Sequence, residues 1–162
     1  MTALQQAASD FLAHRRLAVV GVSRDPAEAA NAIYRRLRRS GYEVYAVNPA
    51  AQEVEGDRCY PTLTALPVRA DGVVVVTRPE VTEGVVEECI ALGIPRVWMH
   101  RGMGPGSVSE AAVARCRECG VAVIPGACLL MYCEPVDVGH RCLRGLSRLT
   151  GRLPAPEPRP AA

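Results

Sequence analysis

The sequence predicts a single α/β domain, Rossmann-like, built on a doubly wound five-stranded parallel sheet of order 3-2-1-4-5 with helices on both faces. Three observations predict it. Short apolar runs alternate with helix-like segments along the whole 162-residue chain. The predicted helices stop at Gly41, Gly93 and Gly120, each just before the next apolar run. Four consecutive valines, Val73 to Val76, form a run suited only to a strand buried on both faces.

Each element follows from its own pattern. Residues 2–14 place Leu4, Ala8, Phe11 and Leu12 on one face of a helix. Leu17 to Val20 is a strand ending at Gly21, and residues 27–40 have helical spacing around Ile33 and Leu37. Tyr42 to Val47 is a second strand, closed by Asn48-Pro49. Residues 50–67 are predicted to be irregular. Gly72 to Val76 is the third strand, residues 80–92 a helix, Arg96 to Met99 the fourth strand, residues 107–119 a helix, and Val121 to Ile124 the fifth strand. A final helix over about 134–150 completes a domain spanning 1–150, and the proline-rich stretch 151–162 is expected to be a disordered tail.

Composition excludes several classes. A net charge of +2 offers no electrostatic footprint for nucleic acid. No apolar run approaches the roughly 20 residues of a bilayer span. The N-terminus lacks the order of basic then apolar segments of a signal peptide, so a cytoplasmic location is expected, with the seven cysteines as reduced thiols. There is no lysine, so charged side-chain contacts to phosphate must come from arginine.

In doubly wound sheets, ligands bind beyond the carboxyl ends of the strands. The candidate site is therefore the set of segments that follow the strands. Gly21-Val22-Ser23-Arg24 follows the first, with backbone amides, a hydroxyl and a guanidinium suited to a diphosphate. Asp25 and Pro26 read as a helix N-cap and first helical residue. The segment lacks the further glycines of a dinucleotide fingerprint. Asn48 stands where an NAD site wants a carboxylate for the ribose hydroxyls, and an uncharged amide tolerates a phosphorylated ribose. Thr77 is either a ligand contact or a helix cap ahead of Pro79. His100, Arg101 and three glycines follow the fourth strand, and Pro125 to Cys128 the fifth. Cys116 and Cys119 fit an apolar helical stripe with Ala112 and Val113 better than a redox or metal pair, and no metal site is expected.

The run VVGVSRDP, Asn31, GYEVYAVNP, YPTL, RPE and VWMHRG, in this order over about residues 15–130, resembles the stand-alone CoA-binding domain family. Its members are small single-domain bacterial proteins, and their fold is similar to the CoA-binding domain of succinyl-CoA synthetase alpha subunits. The resemblance implies coenzyme A at the strand ends. Gly21, Val22, Ser23 and Arg24 would hold the diphosphate, and Asn48 and Pro49 would flank the adenosine. Thr77 and Pro79 would line the middle, Met99 and Gly102 the pantetheine arm, and Cys128 the far end, with His100 a further candidate contact after the fourth strand. The chain departs from the family pattern at Glu28, often a basic residue, at His100, often glutamine, and at Gly126-Ala127, often Asp-Arg.

Three functions follow as alternatives. The first is a CoA or acyl-CoA binding module that is not itself an enzyme, since no catalytic constellation converges at the strand ends. The second is an NAD(P)(H)-dependent oxidoreductase or redox sensor. The third is a non-catalytic partner subunit of an acyl-CoA enzyme, with a protein partner or homo-oligomer using surfaces outside the nucleotide site.

Overall fold

The computed structural model describes residues 1–136 together with His140 and Leu146. Its elements run α1 (Ala3–Leu12), β1 (Arg16–Val20), α2 (Ala29–Arg39), β2 (Glu43–Val47), β3 (Glu53–Val54), β4 (Asp57–Tyr60), β5 (Gly72–Val75), α3 (Pro79–Ala91), β6 (Arg96–His100), α4 (Glu110–Glu118) and β7 (Ala122–Ala127), followed by a 3-10 turn at Leu129–Met131. One mixed sheet has the order β3-β4-β2-β1-β5-β6-β7. All pairings are parallel except β3 with β4.

The order 3-2-1-4-5 is thereby corrected. The five strands read from the apolar runs lie as second, first, third, fourth, fifth. The place beside β2 belongs to β4, within the stretch expected to be irregular. Its sequence, DRCY, buries only Cys59 and pairs with β2 through Ala46↔Cys59 and Val47↔Tyr60. A strand this short and polar leaves no apolar run to detect. Its partner β3 reaches it through Glu55-Gly56, both at positive φ (54° and 78°), the backbone a tight two-residue hairpin requires. Counting β4 as the third strand gives the doubly wound order 3-2-1-4-5-6.

Strict alternation along the central strands divides the core into two layers. Leu17, Val19, Val74, Trp98 and Ile124 face one layer, with Phe11 of α1 and Ile33, Tyr34 and Leu37 of α2. Ala18, Val20, Val73, Val75, Val97, Met99 and Val123 face the other, with Val86 and Cys89 of α3 and Ala112, Val113 and Cys116 of α4. The CxxC pair divides accordingly. Cys116 is buried, and burial pushes its thiol up to about 12. Cys119 is exposed at the helix end rather than part of the apolar stripe.

Helix ends differ from expectation at two points. Asp25 does not cap α2; its carboxylate accepts from the Ala27 amide at 2.9 Å, and α2 begins at Ala29 with Glu28 as N-cap. Residues 134–136 are not helical, and the remainder of the helix expected over 134–150 lies, apart from the helical His140 and Leu146, outside the described residues, as does 151–162.

Trp98 anchors the first layer. It is fully buried, packs edge-on against Phe11 at 5.4 Å between ring centroids, and donates its Nε1–H to the Ala127 carbonyl at 2.8 Å. Trp98→Ala removes the ring and the shorter of two hydrogen bonds to the Ala127 carbonyl, which also accepts from the Arg101 amide at 3.3 Å. It is expected to cost about 3–5 kcal/mol in urea denaturation.

Candidate functional site

Parallel register brings the carboxyl ends of the central strands to one edge. Val20 is level with Val47 and Val75, Val75 with Met99, and His100 with Ala127 across a register shift. Gly21, Asn48, Val76-Thr77, His100-Arg101 and Cys128 therefore emerge side by side. The sheet reverses its winding between β1 and β5, which is the place where such folds bind ligands.

Gly21 sits at that reversal with φ +105°. A Cβ on it would lie 2.2 Å from the Val76 carbonyl oxygen. Contact between the ends of β1 and β5 thus demands glycine here, before any ligand is considered. The Gly21 amide donates to the Val47 carbonyl at 2.9 Å, so it is spent inside the sheet.

The following turn is held from outside. Asn31, near the start of α2 and 1% exposed, accepts from the Ser23 amide (2.9 Å) and donates to the Ser23 carbonyl (2.7 Å) and to Glu55 (2.8 Å). Ser23 Oγ accepts from the Asp25 amide at 2.9 Å. Glu55, in its left-handed conformation at the hairpin tip, is further held by Arg35 at 2.6 Å. Asn31 therefore ties three segments together: the β1 turn, α2 and the β3–β4 hairpin. Sequence reasoning placed Asn31 only in the family motif and missed Glu55, since nothing local shows that a hairpin carboxylate returns to this helix. A hollow of about 220 Å³ beside the turn is lined by Ser23, Arg24, Asn31, Glu53 and Glu55, among others.

Asn48 is also committed internally. Its amide donates to the Val22 carbonyl and its oxygen accepts from the Ala50 amide, both at 2.9 Å. It positions the β1 turn, and the neighbouring Pro49 is exposed. Thr77 is not the cap of α3; Arg78 takes that position, with Pro79 at the helix start. The Thr77 amide donates to Ser107 Oγ at 2.9 Å, and its hydroxyl lies 3.1 Å from that of Thr82. The fully buried Thr82 donates to the Ser107 carbonyl at 2.8 Å. This pins the far end of the glycine-rich loop, residues 102–106, to the start of α3. Ser107 and Thr82 were not singled out from sequence.

The other expected residues divide by exposure. Val22 is buried in the first core layer, Met99 is fully buried in the second, and Cys128 is 6% exposed. Only Met99's backbone reaches the strand ends. Arg24, Gly102 and Met103 are exposed, Met103 at 93%. His100 is 6% exposed, and its Nδ1 is buried without a hydrogen-bond partner. Removal from water lowers its pKa to about 4, so the imidazole is neutral at pH 7. Among the described residues, no three His, Cys, Asp or Glu side chains gather as a metal site, and no helix is long and apolar enough to cross a membrane.

Two predictions follow from this geometry. The His100 pKa is depressed in the native state, so between pH about 4 and 6.5 the unfolded chain binds more protons and stability falls as pH falls. The slope approaches about 1.4 kcal/mol per pH unit at most. Denaturation midpoints across that window should flatten in His100→Gln. Asn31→Leu leaves the Ser23 amide and carbonyl unpaired and is expected to cost about 1–3 kcal/mol in the same assay.

The residues of this site fall within a match to the CoA binding domain family that covers residues 15–134, from just before β1 to just after β7. The chain is 31% identical over 115 residues to the uncharacterized protein YneT of Bacillus subtilis, covering 71% of this chain and 82% of that one. It is 36% identical over 73 residues to acetate–CoA ligase [ADP-forming] I of Archaeoglobus fulgidus, a match to 45% of this chain and only 11% of the ligase. A solved structure of a hypothetical protein from Pyrococcus horikoshii OT3 superposes with a TM-score of 0.75 at 28% identity, over 82% of this chain and 91% of that one. These similarities lend nothing to the NAD(P) alternative. The strand-end loops thus stand within a stretch whose family is established by sequence: the chain belongs to the CoA-binding domain family.

Proposed function

We propose that this protein binds coenzyme A, free or acylated, across the carboxyl ends of β1, β2, β5, β6 and β7, and that it performs no chemistry of its own on the ligand. The observation that carries the reading is the extent of the family match, which begins one residue before β1, ends after β7 and so includes every loop of the crevice. In this reading Gly21 to Arg24 hold the diphosphate, Asn48 shapes that turn while Pro49 flanks the adenosine, and Thr77 and Pro79 line the middle. Gly102 and His100 follow the pantetheine arm over a floor that Met99 supports from beneath, with Cys128 toward the far end. The thiols of Cys59, Cys89, Cys116 and Cys133 contribute packing rather than nucleophilicity, as burial raises them.

A second reading, a binding subunit that serves an acyl-CoA enzyme on another chain, is favoured by the match to a small part of an acetate–CoA ligase. It shares the same ligand and adds a partner.

Isothermal titration of the purified chain with CoA tests the shared core. The expected result is a single site with a Kd of about 1–100 µM and a matching rise in Tm. An absence of heat and of any Tm shift at 1 mM CoA (roughly ten times the weakest Kd in that range) overturns it.

A further inference from the structure

Among the described residues, Glu55 is the only non-glycine residue with positive φ, at 54°. It takes the first place of the two-residue turn that joins β3 to β4, with Gly56 in the second. Such turns favour asparagine, aspartate or glycine at that place, residues that tolerate a left-handed backbone. Nothing in the turn itself calls for glutamate. What its longer side chain reaches does.

Glu55 Oε1 accepts two hydrogen bonds from α2, one from Asn31 Nδ2 at 2.8 Å and one from Arg35 Nη1 at 2.6 Å. Asn31 and Arg35 stand four residues apart and so share a face of the helix. Each also grips one end of the turn that follows β1. Asn31 brackets the Ser23 backbone, accepting from its amide and donating to its carbonyl. Arg35 Nη1 donates to the Pro26 carbonyl at 3.0 Å. A single carboxylate oxygen is therefore the shared acceptor of the two side chains that hold residues 23 and 26. An ionised carboxylate only accepts, so it draws the NH2 of Asn31 toward itself and leaves Oδ1 for the Ser23 amide. The Glu55 side chain is 13% exposed, and shelter from water strengthens both bonds. The hairpin has its own attachment to α2. Arg38 donates to the Glu55 carbonyl at 3.1 Å and pairs with Asp57 at 2.5 Å, and Asp57 accepts from the Tyr34 hydroxyl at 2.7 Å.

We propose that Glu55 is a positioning residue for the ligand, setting the affinity of the Gly21–Arg24 turn from the β3–β4 hairpin by fixing Asn31 and Arg35. This rests on the reading of that turn as the diphosphate-binding segment of a CoA site. It adds a residue outside the strand-end loops on which ligand affinity depends.

Glu55→Gly separates this role from a structural one. Glycine adopts the left-handed backbone freely, and the Arg38, Asp57 and Tyr34 contacts keep the hairpin in place. At a temperature where both proteins are fully folded, the Kd for CoA by isothermal titration is expected to rise about tenfold in the variant. Glu55→Gln keeps an acceptor oxygen of equal reach without the charge and should fall between the two. Combined with Asn31→Ala, Glu55→Gly should weaken binding by less than the product of the two single effects, because both act along one path. A second readout needs no ligand. By amide hydrogen exchange, Ser23 should exchange faster in Glu55→Gly, while the Gly21 amide, bound to the Val47 carbonyl, keeps its wild-type rate. A CoA Kd within about twofold of the wild type, unchanged Ser23 exchange, or fully multiplicative effects in the double variant overturns the role of Glu55 and leaves the CoA reading intact. Failure of the wild type to bind CoA at about 1 mM overturns the CoA reading, and the role of Glu55 with it.

Discussion

The parallel pairing of β1 with β5 is the constraint on which the rest of the structure depends. Both strands are buried on both faces, and their side chains alternate between two helical layers. Neither can slip by one residue without exchanging its two sets of packing partners. That fixed register puts Gly21 against the Val76 carbonyl, where only a glycine fits. The winding of the sheet reverses at this pair, the place where doubly wound folds generally open a ligand crevice.

Around that junction the loops are shaped by buried polar groups rather than by apolar packing. Asn31 and Asn48 between them engage backbone groups of Ser23 and Val22, and Thr82 and Ser107 do the same for the start of α3. Each satisfies groups that would otherwise be buried unpaired, so the loop conformations are linked to the stability of the fold. Much of the conformational cost of shaping the Gly21–Arg24 turn is therefore met by the fold itself. His100 Nδ1 is the exception.

The parts of the fold legible in the sequence are those where a local pattern has one physical reading. The valine run from Val73 marked a doubly buried strand, and Leu4, Ala8 and Phe11 marked the buried face of α1. The glycines after α2, α3 and α4 all adopt positive φ as helix-ending residues. Less legible was β4, whose DRCY sequence carries no apolar signal, and the strand order was misread as a result. At the site, the candidate residues follow the strands, and the tertiary structure adds that the Asn48 side chain, expected to face a ligand, is engaged with Val22 and Ala50.

By itself, then, the sequence determined the alternation of strands and helices, the segments that follow the strands and the family to which the chain belongs. These depend on periodicity, turn chemistry and motif order, all written along the chain. Only the tertiary structure decided which strands are neighbours, which polar side chains are spent on holding loops, and which arginines are paired. Those depend on partners distant in sequence: Glu55 with Asn31, Ser107 with Thr77, and Arg96 with Asp10. No local pattern encodes such pairs, because the free energy that selects them exists only once the sheet has brought the loops together.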